Sequence, residues 1–260
     1  MWGERAPVYS GRMLIRAIPA VAFGTNCYVV APDAGGECVI VDPGIGVADR
    51  VHDVLRAEGL TPVAILLTHG HLDHVYDVPT LGLAGSVTTG IHSQDRYRLI
   101  NPLGDIDSSF VAMLEAQFKT EATWREPEAI VEFAETSQAD RANGLSAMAT
   151  MTVAGLQIAV THAPGHTEGS VLFEVAGIPD TITAPEGLSL DRTVLSGDVL
   201  FAGSIGRTDL AGGDPAAMRR SLRDVVLALP DTALVLPGHG PATTMAAERS
   251  SNPYLQQPLA

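Results

Sequence analysis

Thr68-His69-Gly70-His71-Leu72-Asp73-His74 places four metal-capable side chains, His69, His71, Asp73 and His74, within six residues. The run before it, Val63 to Leu67, is apolar and reads as a buried strand. Residues from Leu72 onward read as a helix. The donors therefore lie at a strand-to-helix turn, where α/β proteins usually place ligands. His69 and His71 are two apart, so near a strand end they point the same way and can grip one cation. Asp73 and His74 come later and turn into the first helical turn, which suits a second cation beside the first. Imidazole and carboxylate donors fit zinc, iron or manganese. An ordinary polar loop with helix-capping residues does not need donors at this density.

Composition narrows the function. The chain has 260 residues and a formal charge of −14. That balance argues against nonspecific nucleic-acid binding, which needs clustered Lys and Arg. Cys27 and Cys38 are the only cysteines. With no Cys-x-x-Cys pattern they exclude zinc ribbons and thioredoxin chemistry, and read as buried thiols in preference to a disulfide. No stretch is apolar for long enough to span a membrane. Met-Trp-Gly-Glu-Arg-Ala-Pro at the start lacks the apolar core of a signal peptide, so a cytoplasmic protein is expected.

Around the opening stretch the chain reads as alternating strands and helices. Met13 to Ile18, Thr25 to Ala31 and Glu37 to Asp42 read as strands, with Gly35-Gly36 marking a hairpin turn. Val47 to Glu58 has helical spacing, with Val47, Val51, Val54 and Leu55 on one face and Gly59 as its stop. Ser86 to Ile91 is a further strand. The region 97–146 is read as an insertion, with a helix over Ser109 to Lys119 and an acidic, poorly periodic stretch from Glu121 to Asp140; it is either a cover for the site or a surface elaboration. Strands resume at Ala149 to Val153, Leu156 to Val160, Ser170 to Val175 and Thr193 to Leu195. Asp214-Pro215 caps a helix over Ala216 to Leu229, and Leu234 to Leu236 is the last strand. The second half thus echoes the first. This predicts an α/β protein of one domain, with two mixed sheets packed face to face and helices outside.

Three later turns each put one donor beside a glycine just past a strand: Ala163-Pro164-Gly165-His166, Leu195-Ser196-Gly197-Asp198 and Pro237-Gly238-His239-Gly240. Singly each is weak, since a lone His after a Gly is more often structural. Their similar placement points to one convergent site. The set His-x-His-x-Asp-His, then His, Asp and a final His, resembles the metallo-β-lactamase fold superfamily over roughly Met13 to Tyr254. The resemblance implies a four-layer αββα sandwich with the site at one edge of the two sheets. It places His69, His71 and His166 on a first metal and Asp73, His74 and His239 on a second, with Asp198 as the bridge. Asp73 and Asp198 are the catalytic carboxylates it implies, and two divalent ions the cofactors, zinc first with iron or manganese as alternatives. His52, His92 and His162 match no such role and read as structural or surface residues.

Within the superfamily, Gly197-Asp198-Val199-Leu200-Phe201-Ala202-Gly203-Ser204-Ile205-Gly206-Arg207-Thr208-Asp209 looks like the short bacterial glyoxalase II (hydroxyacylglutathione hydrolase) branch. So does the ending His239-Gly240-Pro241-Ala242-Thr243-Thr244 with Glu248-Arg249 and Asn252-Pro253-Tyr254. The resemblance implies hydrolysis of S-D-lactoylglutathione or a related acyl-thiol to D-lactate and free thiol. Arg207 is the first candidate for a substrate carboxylate, or else pairs with Asp209; Arg249 is a weaker one. Phe173 stands where longer glyoxalase II enzymes have a Tyr that helps hold the thiol carrier. Those enzymes also have a C-terminal helical domain, for which residues 240–260 are too few. The partner expected is a small thioester, with no nucleic acid and no membrane. The sequence leaves open whether the chain is a monomer or a homodimer. A persulfide dioxygenase shares the fold and much of the Gly-Arg-Thr-Asp loop but holds a single iron with two His and one Asp; the filled second donor set favours a hydrolase. Lactonases come next, and a non-catalytic metal-binding module last.

Overall fold

The computed structural model describes residues 12–82, 87–103, 108–118, 123–133 and 149–256. Its first sheet is built from β1 (Arg12–Pro19), β2 (Asn26–Ala31), β3 (Glu37–Val41), β4 (Thr61–Leu66), β5 (Thr88–His92) and β6 (Ile130–Phe133). The second draws on β7 (Ala149–Val153), β8 (Leu156–His162) and β9 (Val171–Ala176). Next come β10 (Ile178–Pro179), which returns to the edge of the first sheet, and β11 (Arg192–Gly197). A small ribbon, β12 (Leu200–Phe201) and β13 (Ser204–Ile205), precedes β14 (Ala233–Pro237) and β15 (Thr243–Thr244). Strand order is β10-β1-β2-β3-β4-β5-β6 in one sheet and β15-β14-β11-β9-β8-β7 in the other. Each mixes parallel with antiparallel pairs: β3, β4, β5 and β6 run parallel, as do β11 and β14, while the β7-β8-β9 meander is antiparallel.

Side-chain alternation sorts the core into layers. Val39 and Val41 of β3, with Ile158 and Val160 of β8 and Val171, Phe173 and Val175 of β9, fill the space between the sheets. Cys38 and Ile40, their neighbours on β3, face the other way and pack with Val51 and Leu55 of the helix Ala48–Glu58. Across the molecule, Leu172, Val194 and Val235 pack with Met218 and Leu222 of the helix Pro215–Asp224. Four layers in the order αββα result, as the alternation of strands and helices requires. Cys27 and Cys38 are buried free thiols.

Helix ends follow local chemistry in most places. Gly59 ends the first helix at φ 67°, a left-handed position that glycine adopts without penalty. Asp214 accepts from the amides of Ala216 and Ala217, with Pro215 in the first turn. The start of the first helix is the exception, because Val47 offers no capping oxygen. Asp77, distant in sequence, accepts from the amides of Val47 and Ala48 instead.

Three sequence expectations need correction. Ile130–Phe133, inside the stretch expected to be aperiodic, is the edge strand of the first sheet and pairs in parallel with β5. Four residues are too few for periodicity to register against acidic flanks. Ser93–Leu99 is a 3-10 helix that runs across the expected start of the insertion at Tyr97, and its Asp95 bonds the loop that carries His69 and His71. The predicted helix Ala216 to Leu229 divides into Pro215–Asp224 and a separate 3-10 turn, Val226–Ala228. Residues 104–107, 119–122 and 134–146 of the expected insertion lie outside the described residues.

Candidate metal centre

The donors gather where loops leave the strand ends of both sheets. His69 and His71 follow β4, Asp73 and His74 lie in the short helix Leu72–Val75, His166 follows β8, Asp198 follows β11 and His239 follows β14. Their ligand atoms form three overlapping triads, each within 4.8 Å: His69, His71 and His166; His69, His74 and Asp198; Asp73, His74 and His239. The structure thus brings together all seven donors. Asp198 lies between the groups. Its Oδ1 is 3.3 Å from His74 Nε2, and its Oδ2 is 3.5 Å from both His166 Nε2 and His239 Nε2.

Neighbouring groups fix which nitrogen of each ring carries the proton. Asp42 accepts from the Thr68 amide through Oδ1 (2.8 Å) and from the Thr68 hydroxyl through Oδ2 (2.6 Å). The Thr68 oxygen is then left to accept from His69 Nδ1 (3.1 Å). Asp42 Oδ2 also takes His74 Nδ1 (3.0 Å). Carbonyl oxygens can only accept, so His166 Nδ1 donates to Arg207 O (2.8 Å) and His239 Nδ1 to Phe23 O (3.2 Å). In its neutral form each of these four rings therefore keeps its lone pair on Nε2, toward the shared centre. His166 Nε2 and Asp198 Oδ1 are buried and complete no hydrogen bond among the described residues. Tetrahedral ligands of zinc sit about 3.4 Å from one another. His69 Nε2 to His71 Nδ1 is 3.1 Å and His74 Nε2 to His239 Nε2 is 3.4 Å. The donor set fits divalent cations by atom type, spacing and unsatisfied valence.

Electrostatics divide the cluster. Burial, and then the neighbouring imidazoles, hold His69 well below the usual histidine range. Burial, then His166 and Arg98, push His71 down to about 3. Burial also lowers His166, against the pull of Asp198. These three rings are neutral donors at physiological pH. Burial works to lower His74 too, but Asp198, Asp73 and Asp42 outweigh it and raise it, so a proton and a cation compete for Nε2. Asp73 and Asp198 are pushed up by burial and pulled further down by the imidazoles beside them, and both remain ionised.

The scaffold around the donors is held from several elements. Asp95, fully buried on the 3-10 helix, accepts from the Gly70 amide (2.8 Å), the Gly169 amide (2.8 Å) and the Thr167 hydroxyl (2.7 Å). One carboxylate thus ties the loop of His69 and His71 to the loop of His166. Thr25 donates to Asp73 Oδ2 (2.9 Å). The Tyr28 hydroxyl and the Asn26 amide both donate to Pro237 O, fixing the loop of His239. Two non-glycine residues at the site adopt left-handed backbone: Asp42 at φ 50° and Phe23 at φ 60°. Such strain persists only where the surroundings over-determine it. Gly238 is required by space, because a Cβ there would lie 2.3 Å from Asp198 Oδ1 and 2.7 Å from His74 Cε1.

A cavity of about 820 Å³ opens over the cluster, with Phe23, Phe201, Ile205 and Leu210 among its walls. Arg207 lines it as well, and its guanidinium holds Asp209 through two bonds of 2.7 and 2.8 Å. Phe173 does not reach the cavity. It is fully buried between the sheets with its ring against Phe133, because its place on β9 faces the opposite sheet. Arg249 is spent on Asp231 and on the carbonyls of Leu227 and Leu229, where it joins the helix Met245–Ser251 to the end of the preceding one. His92 and His162 stack on each other within the scaffold, and His52 lies on the first helix. Sequence reasoning missed Asp42, Asp95, Thr25 and Thr68. Asp42 carried a signal, a carboxylate directly after the apolar run Cys38-Val39-Ile40-Val41.

Comparison with known proteins agrees with this geometry. A family model described as metallo-beta-lactamase superfamily matches residues 20–178. The chain is 37% identical to the uncharacterized protein Rv2581c of Mycobacterium tuberculosis over 94% of this chain and 98% of that one. It is 30% identical to the hydroxyacylglutathione hydrolase GloC of Haemophilus influenzae, over 94% and 98% respectively. Among solved structures, the BLEG-1 B3 metallo-beta-lactamase superposes with a TM-score of 0.69 at 31% identity, covering 94% of this chain and all of that one. TTHA1623, solved in a di-iron-bound form, gives 0.64 at 30% identity over 92% of this chain and all of that one. With two mixed sheets, a donor cluster at their loop edge and full-length relatives of this kind, the chain belongs to the metallo-beta-lactamase superfamily and is a metallo-hydrolase by descent.

Proposed function

We propose that this chain is a binuclear thioester hydrolase of the glyoxalase II type. The observation that carries the reading is the pair of His-rich triads joined through Asp198, whose Nε2 lone pairs are aimed inward by Asp42, Thr68, Arg207 O and Phe23 O. His69, His71 and His166 would hold one cation and Asp73, His74 and His239 the other, with Asp198 between them. The likeness to GloC over nearly its whole length supports the thioester, and the di-iron-bound relative supports a binuclear site in which zinc, iron or manganese is accommodated. Paired divalent cations supply a water acidic enough to ionise near neutral pH and an electrophile for a carbonyl oxygen.

The chain's own residues do the rest. Thr25 donates to Asp73 Oδ2, the oxygen that lies 3.2 Å from His239 Nε2 on the cation side, which leaves Oδ1 to take the proton of the attacking water. Water oxygen bonds to the acyl carbon, the carbon–sulfur bond breaks, and sulfur leaves with the electron pair. The products are a carboxylic acid and a thiol, with one water consumed and no redox change. A thiolate is a modest base, so the site needs no strong general acid, and the described lining offers none beyond the donor cluster itself. The test is steady-state hydrolysis of S-D-lactoylglutathione and other acyl-thiols by chain loaded with each metal in turn. Oxygen consumption with a persulfide substrate and no thioester turnover would replace this reading with the mononuclear dioxygenase. The BLEG-1 relative makes β-lactam turnover the other control to run.

A further inference from the structure

The cavity over the cluster is large enough for a substrate well beyond the reacting carbonyl, and its charges are already matched. Two cationic side chains line it, Arg98 and Arg207. Arg98 is 7% exposed and its guanidinium meets Glu168 Oε2 (2.9 Å) and Ala211 O (2.9 Å), with Asp95 at 3.5 Å. It braces the loop around Ala211 against the 3-10 helix. Arg207 is turned onto Asp209, two residues away, in a two-bond fork. Among the described residues the lining therefore presents no cation without an acid of its own. The whole chain adds a charge of −14 to the field an anionic substrate would meet.

The remaining surface is apolar. Phe23 and Leu210 are 58% and 41% exposed and both line the cavity, so apolar surface stands open where a substrate would sit. Phe201, Ile205 and Pro102 continue the same lining. Phe23 is also held in a left-handed conformation by the loop whose carbonyl accepts from His239, so its ring is displayed by the same turn that fixes a donor.

We infer that the thiol half of the substrate is uncharged and is held by contact with Phe23, Leu210 and Phe201 rather than by carboxylate recognition. The inference rests on the thioesterase reading and narrows it. Glutathione carries two carboxylates and an ammonium. Docked here, its carboxylates would lose water without gaining a free cation, a cost that an uncharged carrier avoids.

The experiment is a panel of S-D-lactoyl thioesters hydrolysed by the metal-loaded full chain. The thiols are glutathione, its diethyl ester, N-acetylcysteamine and benzyl mercaptan. The expected result is a kcat/KM for the benzyl thioester about tenfold or more above glutathione, with little dependence on salt, and a gain of the same size for the diethyl ester that shrinks as salt screens its remaining ammonium. Replacing Phe23 and Leu210 together by Ala lowers kcat/KM about tenfold for the benzyl thioester, chiefly through KM, and far less for N-acetylcysteamine. Asp209→Asn, which frees Arg207, raises glutathione turnover severalfold and leaves the diethyl ester unchanged. The inference is overturned if free glutathione is the best carrier, if esterification weakens it, or if Asp209→Asn moves both substrates equally. A glutathione preference with Arg207→Gln selectively harmful would assign Arg207 to a substrate carboxylate and leave thioester hydrolysis standing. Absence of turnover across the whole panel would instead sink the thioesterase reading, and this inference with it.

Discussion

Asp42→Asn tests whether the second nitrogen of each ring sets the metal site. The carboxylate is buried and holds three protons: the Thr68 amide, the Thr68 hydroxyl and His74 Nδ1–H. Asn keeps the shape, tolerates the left-handed backbone at φ 50° and retains one oxygen for the Thr68 amide. Its amide nitrogen then faces His74 Nδ1 with a hydrogen. His74 must accept there and carry its proton on Nε2, the atom aimed at the metal position. Thr68 relays the same reversal to His69 Nδ1 through its hydroxyl. Loss of an outer-shell partner of this kind costs about 10–100-fold in metal affinity, or about 1.4–2.8 kcal/mol. The fold loses about one buried hydrogen bond, about 1 kcal/mol, which lowers Tm by about 2–4 °C in a chain of this size. The assay is competition against a chelator of known affinity, counting both equivalents, beside thermal unfolding of the metal-free protein. Two metals held at unchanged affinity by the Asn variant would refute the argument.

Other substitutions separate the site from its scaffold. Asp95→Ala leaves the buried amides of Gly70 and Gly169 unpaired, while the Thr167 hydroxyl keeps Ser170, and costs about 2–5 kcal/mol of stability; urea unfolding measures it, and a loss under 1 kcal/mol contradicts the clamp. Gly238→Ala drives a methyl into Asp198 and His74, so metal content measured after dialysis falls below two equivalents while circular dichroism stays native. Phe173→Ala costs about 3–5 kcal/mol by opening a cavity between the sheets, and its KM matches the parent's; a selective rise in KM would return Phe173 to the substrate. Arg249→Ala lowers stability by about 1–2 kcal/mol through two lost carbonyl bonds and leaves kcat/KM unchanged.

What the sequence makes legible here is whatever its local pattern encodes. Apolar runs bounded by turn residues mark β3 and β9, glycine marks the end of the first helix, and dense histidines mark the donor turn. The layered fold follows from those signals because each apolar face needs a partner. Phe173 is the instructive failure. Motif alignment puts it beside the substrate, but a strand side chain faces whichever layer its parity dictates, and this one faces the other sheet. The contributions of Asp42, Asp95 and Thr25 were hidden for a different reason. Each acts across the chain on a residue with no sequence relation to it, and only the packing of loops from both sheets creates the contact. Ile130–Phe133 was hidden by brevity.

A binuclear hydrolytic centre built from seven donors predicts a fixed metal stoichiometry for activity. Titration of metal-free chain with zinc, followed by elemental analysis and a thioesterase assay at each added equivalent, measures it. Two equivalents bound per chain are predicted, with activity climbing until the second is filled and an Asp198→Ala variant retaining at most one. Full thioesterase activity at one equivalent, or two tightly bound metals in Asp198→Ala, would contradict it.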